Sequence, residues 1–318
     1  MNISNYIDHT FLKPAGDKDA VRKLCAEAKK AKFASVCVNP CEVETCARIL
    51  RTSPVKVCTV IDFPLGQGTN RTRCFEALDA IQDGADELDL VVNQRLLKFA
   101  PGRCEAELLQ WVRTCRTCRS DVTLKLILEC CNLTKKEIAH GCKIAQKVGF
   151  DFVKTSTGFG TGGATIEDVE LMRKTVGKKM GVKAAGGIRD RKTALAMVAA
   201  GATRIGTSAG LAIQKGTAAC LLAGLVLLGG DVFAAEPVAG GRRLRHDMPE
   251  KAEEVADRPG QDEQVPDHVG VGQLFPEIED AAERIKSATE QEPHRSRPAK
   301  GMNERHDCQN RYPAHDDV

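Results

Sequence analysis

Residues 1–236 predict an α/β fold, an eight-stranded (β/α)8 TIM barrel, followed by a disordered C-terminal extension over 237–318. Three observations carry this expectation: apolar β-rich runs alternate with helical stretches, there are eight such runs, and the composition changes near residue 237. In chain order the runs are YIDHT, ASVCVN, VKVCTVID, DELDLVV, TLKLILE, FDFVKTS, GVKAAGG and TRIGTS. Between them DKDAVRKLCAEAKKAK, NRTRCFEALDAIQDGA, TKKEIAHGCKIAQKVG, TIEDVELMRKTVG and RDRKTALAMVAAGA space their apolar residues three and four apart, as one face of a helix requires. Strict alternation of this kind builds a parallel sheet. Eight units in about 215 residues suit a closed barrel, whereas an open doubly wound sheet more often stops at five or six strands.

The last 82 residues hold eight of the 13 prolines and five of the seven histidines. They also carry 12 Lys and Arg against 18 Asp and Glu, a net of −6 that leaves residues 1–236 at +9. Scattered proline, low hydrophobicity and mixed charge predict disorder there, apart from a short helix starting near Pro276 in PEIEDAAERIKSATE. The longest apolar run, around Ala218 to Leu228, is shorter than the roughly 20 residues of a membrane span. The opening MNISNYIDHT has neither a basic region nor an apolar stretch, so a cytoplasmic protein is expected. In that setting the 14 cysteines read as reduced thiols, including Cys115 and Cys118, whose C-x-x-C lies in the helical GRCEAELLQWVRTCRTCRS. A zinc site normally needs a second ligand pair, so no metal is expected there.

In a parallel barrel the chemistry sits at the C-terminal ends of the strands. Alternation after Phe152 points Lys154 into the mouth at the end of the sixth run, and Lys183 holds the equivalent place on the seventh. Two inward ammonium groups repel, so one of the pair is expected to stand as a neutral amine nucleophile. Asp89, flanked by Leu88 and Leu90, is the expected inward carboxylate of the fourth run, with Asp86 and Glu87 nearer that strand's start. Lys125, in the middle of the fifth, is placed to pair with Asp89. One lysine on a strand more often snorkels to solvent, and one Asp beside a Lys is more often only an ion pair. Four such residues on neighbouring strands point to catalysis through a Schiff base.

Backbone N–H groups for a phosphate are expected in Gly186-Gly187-Ile188-Arg189 after the seventh run and in Gly206-Thr207-Ser208-Ala209-Gly210 after the eighth. The glycine-rich loop from Thr157 to Thr165 lacks the G-x-x-x-x-G-K-[ST] spacing of a nucleotide site, and no dinucleotide fingerprint follows the first run. No organic cofactor is expected.

The segments YIDHTFLKP, SVCVNP, VCTVIDFPLG, GADELDLVVN, LKLILE, FVKTSTGFGTGGAT, VKAAGGIRD and RIGTSAG resemble the deoxyribose-phosphate aldolase family, from about residue 3 to 216. The resemblance implies a metal-free, class I aldolase that cleaves 2-deoxy-D-ribose 5-phosphate to acetaldehyde and D-glyceraldehyde 3-phosphate in deoxynucleoside breakdown. It implies Lys154 as the Schiff-base lysine, with Lys183 tuning it and serving with Asp89 in proton transfer. By the same resemblance Asp8, Thr10, Cys37, Lys125 and Thr157 belong to the substrate pocket, and Gly158, Gly186, Gly187, Arg189, Gly206 and Ser208 face sugar or phosphate. Expected partners are a sugar phosphate and an aldehyde, with no nucleic acid and no membrane; a second copy of the chain, as a dimer, completes them.

Two departures stand out: the family's pair of serines after the last strand is here Ser208-Ala209, and the chain runs about a hundred residues past the resemblance. The extension reads as dispensable or frame-shifted in preference to regulatory. Another sugar-phosphate barrel enzyme, such as an isomerase, and a non-catalytic sugar-phosphate sensor are the alternatives, since fold alone does not separate them.

Overall fold

The computed structural model describes residues 2–216 and 276–291. Eight parallel strands close into a barrel in sequence order, with β8 pairing back to β1. They are β1 (Ile7–Phe11), β2 (Ser35–Val38), β3 (Lys56–Ile61), β4 (Glu87–Val91), β5 (Thr123–Ile127), β6 (Phe152–Lys154), β7 (Gly181–Ala185) and β8 (Arg204–Thr207). β1 overlaps the first apolar run and ends one residue beyond it; each of the others lies inside one of the remaining runs.

The helices are α1 (Ala20–Ala31), α2 (Val43–Leu50), α3 (Asn70–Gln82), α4 (Gln94–Phe99), α5 (Pro101–Cys118), α6 (Lys135–Val148), α7 (Ile166–Val176), α8 (Arg191–Ala199), α9 (Gly210–Lys215) and α10 (Pro276–Gln291). Local chemistry sets their ends. Thr134 and Glu137 form a reciprocal capping box at the start of α6, Gly149 stops it in a left-handed conformation, and Thr165 and Asp190 cap α7 and α8. α2, α4 and α9 were not marked by sequence periodicity, because six to eight residues are too few to display it.

Alternation along the strands sorts the side chains into two environments. Val36, Val38, Leu88, Leu90, Leu124 and Leu126 face outward and join the main core beneath the helices. Inside the barrel the only comparable apolar cluster among the described residues is small, Leu12, Cys37, Cys58 and Val60, with Phe63 against it. Asp8, Glu87, Asp89, Lys125, Lys154 and Lys183 are buried in the same interior, which fixes where the chemistry can be.

The helix expected near Pro276 is present as α10, and it packs on α3 and α5. Ile278 and Ala282 are buried in the main core and Ile285 is half-buried, a stripe at helical spacing that the sequence reading left without a partner. The Ala218–Leu228 run and the remainder of the 237–318 extension lie outside the described residues. Among the described residues no helix is long and apolar enough to cross a membrane. The twelve described cysteines are free thiols, including Cys115 and Cys118, which are buried in α5.

Trp111 of α5 is fully buried, stacks on Phe150 with ring centroids 5.6 Å apart, and donates its indole N–H to the Arg73 carbonyl at 3.1 Å. Trp111→Ala is expected to lower the unfolding free energy by about 3–5 kcal/mol in urea titration. Trp111→Phe, which keeps the stacked ring and loses the donor, should cost about 1–3 kcal/mol.

Candidate active site

The register of neighbouring strands sets Asp89 opposite Lys125 and Lys154 opposite Lys183. All four side chains converge. The Asp89 carboxylate takes Lys125 Nζ on Oδ1 at 2.7 Å, and both Lys154 Nζ (2.8 Å) and Lys183 Nζ (2.7 Å) on Oδ2. Lys183 has a second anion, Asp8 Oδ2 at 2.6 Å, and Lys125 has Glu87 Oε2 at 2.7 Å. Arg204 then joins Asp8 Oδ1 (2.6 Å) to Glu87 Oε2 (3.1 Å). Asp8, Asp89 and Lys125 are completely shielded from solvent.

Shared charge decides the ionisation of this cluster. Burial alone would raise the Asp89 carboxyl, but Lys125, Lys154 and Lys183 together overcome it and hold it well below the usual carboxylate range. Asp8 is depressed in the same way by Arg204 and Lys183 against its burial. Burial would lower the Lys183 ammonium, yet Asp8 and Asp89 hold it well above an ordinary lysine, and Lys125 is raised by Asp89, Cys58 and Glu87. This corrects the expectation that repulsion between two inward ammonium groups governs the lysine pair. Asp89 stands between them, and Lys183 is the firmly protonated member.

Lys154 and Lys183 form part of the lining of a cavity of about 230 Å³ at the barrel mouth. Among the described residues its lining has three lysines, Lys13, Lys154 and Lys183, with Arg189, and no carboxylate. Gly186, Gly187 and Arg189 line it after β7, and Gly206 and Ser208 at the end of β8. Gly186 has φ +89°, and a Cβ there would lie 2.9 Å from Gly163 Cα, so the β6 and β7 loops meet backbone to backbone. A Cβ on Gly206 would lie 3.1 Å from Lys183 Cε and press on that lysine.

Thr10, Thr157 and Gly158 also face the cavity, but Thr157 turns its polar atoms away from it. Its hydroxyl donates to the buried Glu129 carboxylate, which also accepts its N–H at 3.3 Å. Glu129 itself sits at φ +56°, a left-handed conformation uncommon for a non-glycine residue. Asp8, Cys37 and Lys125, expected on the pocket wall, do not reach the lining and lie packed behind it. The Ala209 N–H donates to Thr207 Oγ1 at 2.9 Å and so does not stand in for the missing serine hydroxyl.

Sequence reading passed over Lys13, Glu87 and Arg204 as functional candidates. Lys13 follows β1 and was within reach of the strand-end rule applied to Lys154. Glu87 and Arg204 begin β4 and β8, the end of the barrel that this rule sets aside. Two triples, Cys37 with Cys58 and Asp89, and Asp8 with Cys58 and Glu87, bring their donor atoms within reach of one cation. Their carboxylates are already neutralised by lysine and arginine, and the same positive groups oppose a metal ion there.

A lysine amine in a cavity with no carboxylate among its described lining residues, its nitrogen on a buried aspartate shared with two further lysines, defines an enzyme of amine-dependent carbonyl chemistry on anionic substrates. The sequence profile described as DeoC/LacD family aldolase matches residues 3–216. The deoxyribose-phosphate aldolase of Streptococcus equi subsp. zooepidemicus is 52% identical over 219 residues, 69% of this chain and 98% of its own. That of Brevibacillus brevis is 51% identical over 216 residues, covering 68% and 96%. Among solved structures, the tetrameric deoxyribose phosphate aldolase of Aeropyrum pernix matches with a TM-score of 0.63, at 32% identity over 67% of this chain and 89% of that one. The chain belongs to the DeoC/LacD family of aldolases.

Because Asp8 and Asp89 are depressed in the folded chain, their contribution to stability is complete above the unfolded carboxylate value and is lost as pH falls through the folded values. The unfolding free energy should therefore change little on their account between about pH 8 and 5, and fall steeply below about pH 4, in urea titrations across that range.

Proposed function

We propose that the chain reversibly cleaves 2-deoxy-D-ribose 5-phosphate to acetaldehyde and D-glyceraldehyde 3-phosphate through a Schiff base on Lys154, in the breakdown of deoxyribonucleosides. The observation that carries this reading is the Lys154 amine on the cavity, 2.8 Å from the carboxylate it shares with Lys183, in a lining with no acid among the described residues. Attack of neutral Nζ on the open-chain C1 aldehyde forms a carbinolamine, and loss of water leaves an iminium. Removal of the C3 hydroxyl proton breaks the C2–C3 bond, releases glyceraldehyde 3-phosphate and leaves the electron pair in an enamine. Protonation at C2 and hydrolysis return acetaldehyde and the free amine. The iminium is the electron sink for the bond that breaks.

Lys183 and Asp89 adjoin the reacting nitrogen and are proposed to move the protons, while Lys125 and Asp8 hold them from behind. The phosphate is proposed to lie against Gly186, Gly187, Gly206 and Ser208, between Lys13 on the β1 loop and Arg189 on the β7 loop. An isomerase working by proton transfer needs a Glu or His facing its substrate, and among the described residues the lining has neither. A cytoplasmic enzyme that assembles as a homodimer is part of this reading; the tetramer of the Aeropyrum pernix relative supports self-association.

Lys154→Leu should abolish acetaldehyde release from deoxyribose 5-phosphate, and borohydride with substrate should leave a covalent mass increase on the wild-type chain alone. Turnover in the variant, or an adduct on it, would overturn the assignment. The double variant Lys13→Met/Arg189→Met should raise KM for the phosphorylated substrate by roughly tenfold or more, the scale of lost charge-assisted hydrogen bonds. Initial rates on unphosphorylated 2-deoxyribose should be unchanged; an equal loss on both sugars would move the phosphate elsewhere.

A further inference from the structure

We infer that Arg204 and Glu87, at the end of the barrel away from the cavity, are positioning residues for the reaction, closing a ring of six alternating charges that fixes Asp89 among its lysines. The ring runs Arg204, Asp8, Lys183, Asp89, Lys125, Glu87 and back to Arg204, each contact between 2.6 and 3.1 Å. Within the ring every member touches two opposite charges. Three cations and three anions cancel, so the ring is neutral, and Lys154 is attached to it from outside through Asp89 Oδ2.

Neither Arg204 nor Glu87 lines the cavity. Arg204 spans the lower side: Nη1 reaches both carboxylates, Nη2 adds a second contact to Glu87 Oε1 at 3.2 Å, and the guanidinium lies over the Phe152 ring, 5.4 Å from its centroid. Burying six charges is costlier than filling the same volume with apolar side chains, so packing alone gives no reason for the ring. Its effect on the site is specific. Arg204 holds Asp8 under Lys183, and Glu87 holds Lys125 against the other oxygen of Asp89. With either gone, both of its neighbours in the ring lose one of their counter-charges, and the pull of Lys125 and Lys183 on the Asp89 carboxylate is no longer balanced. The titratable groups facing this ring from the surrounding strands are the Cys37 thiol on β2, the Cys58 thiol on β3, 3.2 Å from Asp89 Oδ1, and Lys154 on β6.

The inference rests on the aldolase reading, and wild-type cleavage of deoxyribose 5-phosphate is the control that tests that reading separately. Glu87→Gln, Arg204→Gln and the double variant are compared by kcat, KM and the pH dependence of kcat, with thermal unfolding to establish that each is folded. Glu87→Gln removes a negative charge, so the limbs of its profile should move to lower pH; Arg204→Gln removes a positive charge, and its limbs should move to higher pH. In each single variant kcat should fall roughly tenfold with KM within about threefold, the pattern of a defect in the reacting state. The charge-balanced double variant should bring the limbs back toward the wild-type positions. A structural role alone would lower the unfolding temperature without opposed shifts. Glu87→Gln is isosteric and carries the test by itself should Arg204→Gln not accumulate as folded protein. A folded Glu87→Gln with the wild-type profile and kcat, or shifts of the same sign in both single variants, would overturn the inference.

Discussion

The site depends on one buried carboxylate. Asp89 is shielded from water and contacts three lysine nitrogens with two oxygens, so each lysine's position is set by the same anion. A buried ammonium without a partner is strongly disfavoured, and Asp89 is what allows Lys125, Lys154 and Lys183 to share one barrel interior. The strands bring them together through register: Asp89 lies opposite Lys125, and Lys154 opposite Lys183.

Charge is partitioned along the barrel axis as a result. Around Asp89 positive and negative groups lie within hydrogen-bond distance of one another, whereas the cavity above presents basic side chains and glycine backbone, with no carboxylate in its lining among the described residues. An anion entering from the mouth thus meets basic side chains, Lys13 and Arg189 among them, along the cavity lining. The glycines make room for this: Gly186 and Gly163 let two loop backbones touch, and Gly206 leaves space for the Lys183 side chain.

The family match ends at residue 216, yet the described chain resumes at α10, whose Ile278 and Ala282 are buried against α3 and α5. That packing lies on the outer helical layer, away from the barrel mouth. It extends the hydrophobic core without adding a side chain to the cavity lining.

Strand identity and order were legible in the sequence because period-two and helical patterns are local, and eight alternating units leave little choice but a closed parallel barrel. Lys154, Lys183, Asp89 and Lys125 were legible too, since charge on an apolar strand is conspicuous. Short helices such as α4 were not, nor was the docking of α10, which depends on a surface distant in the chain. Tertiary structure alone decided how the charges pair. Asp8 and Arg204 are 196 positions apart and meet only because β8 closes on β1, and whether two lysines repel or share a carboxylate depends on distances of a few ångströms. Sequence thus determined which groups enter the barrel; closure of the barrel determined which of them neutralise one another.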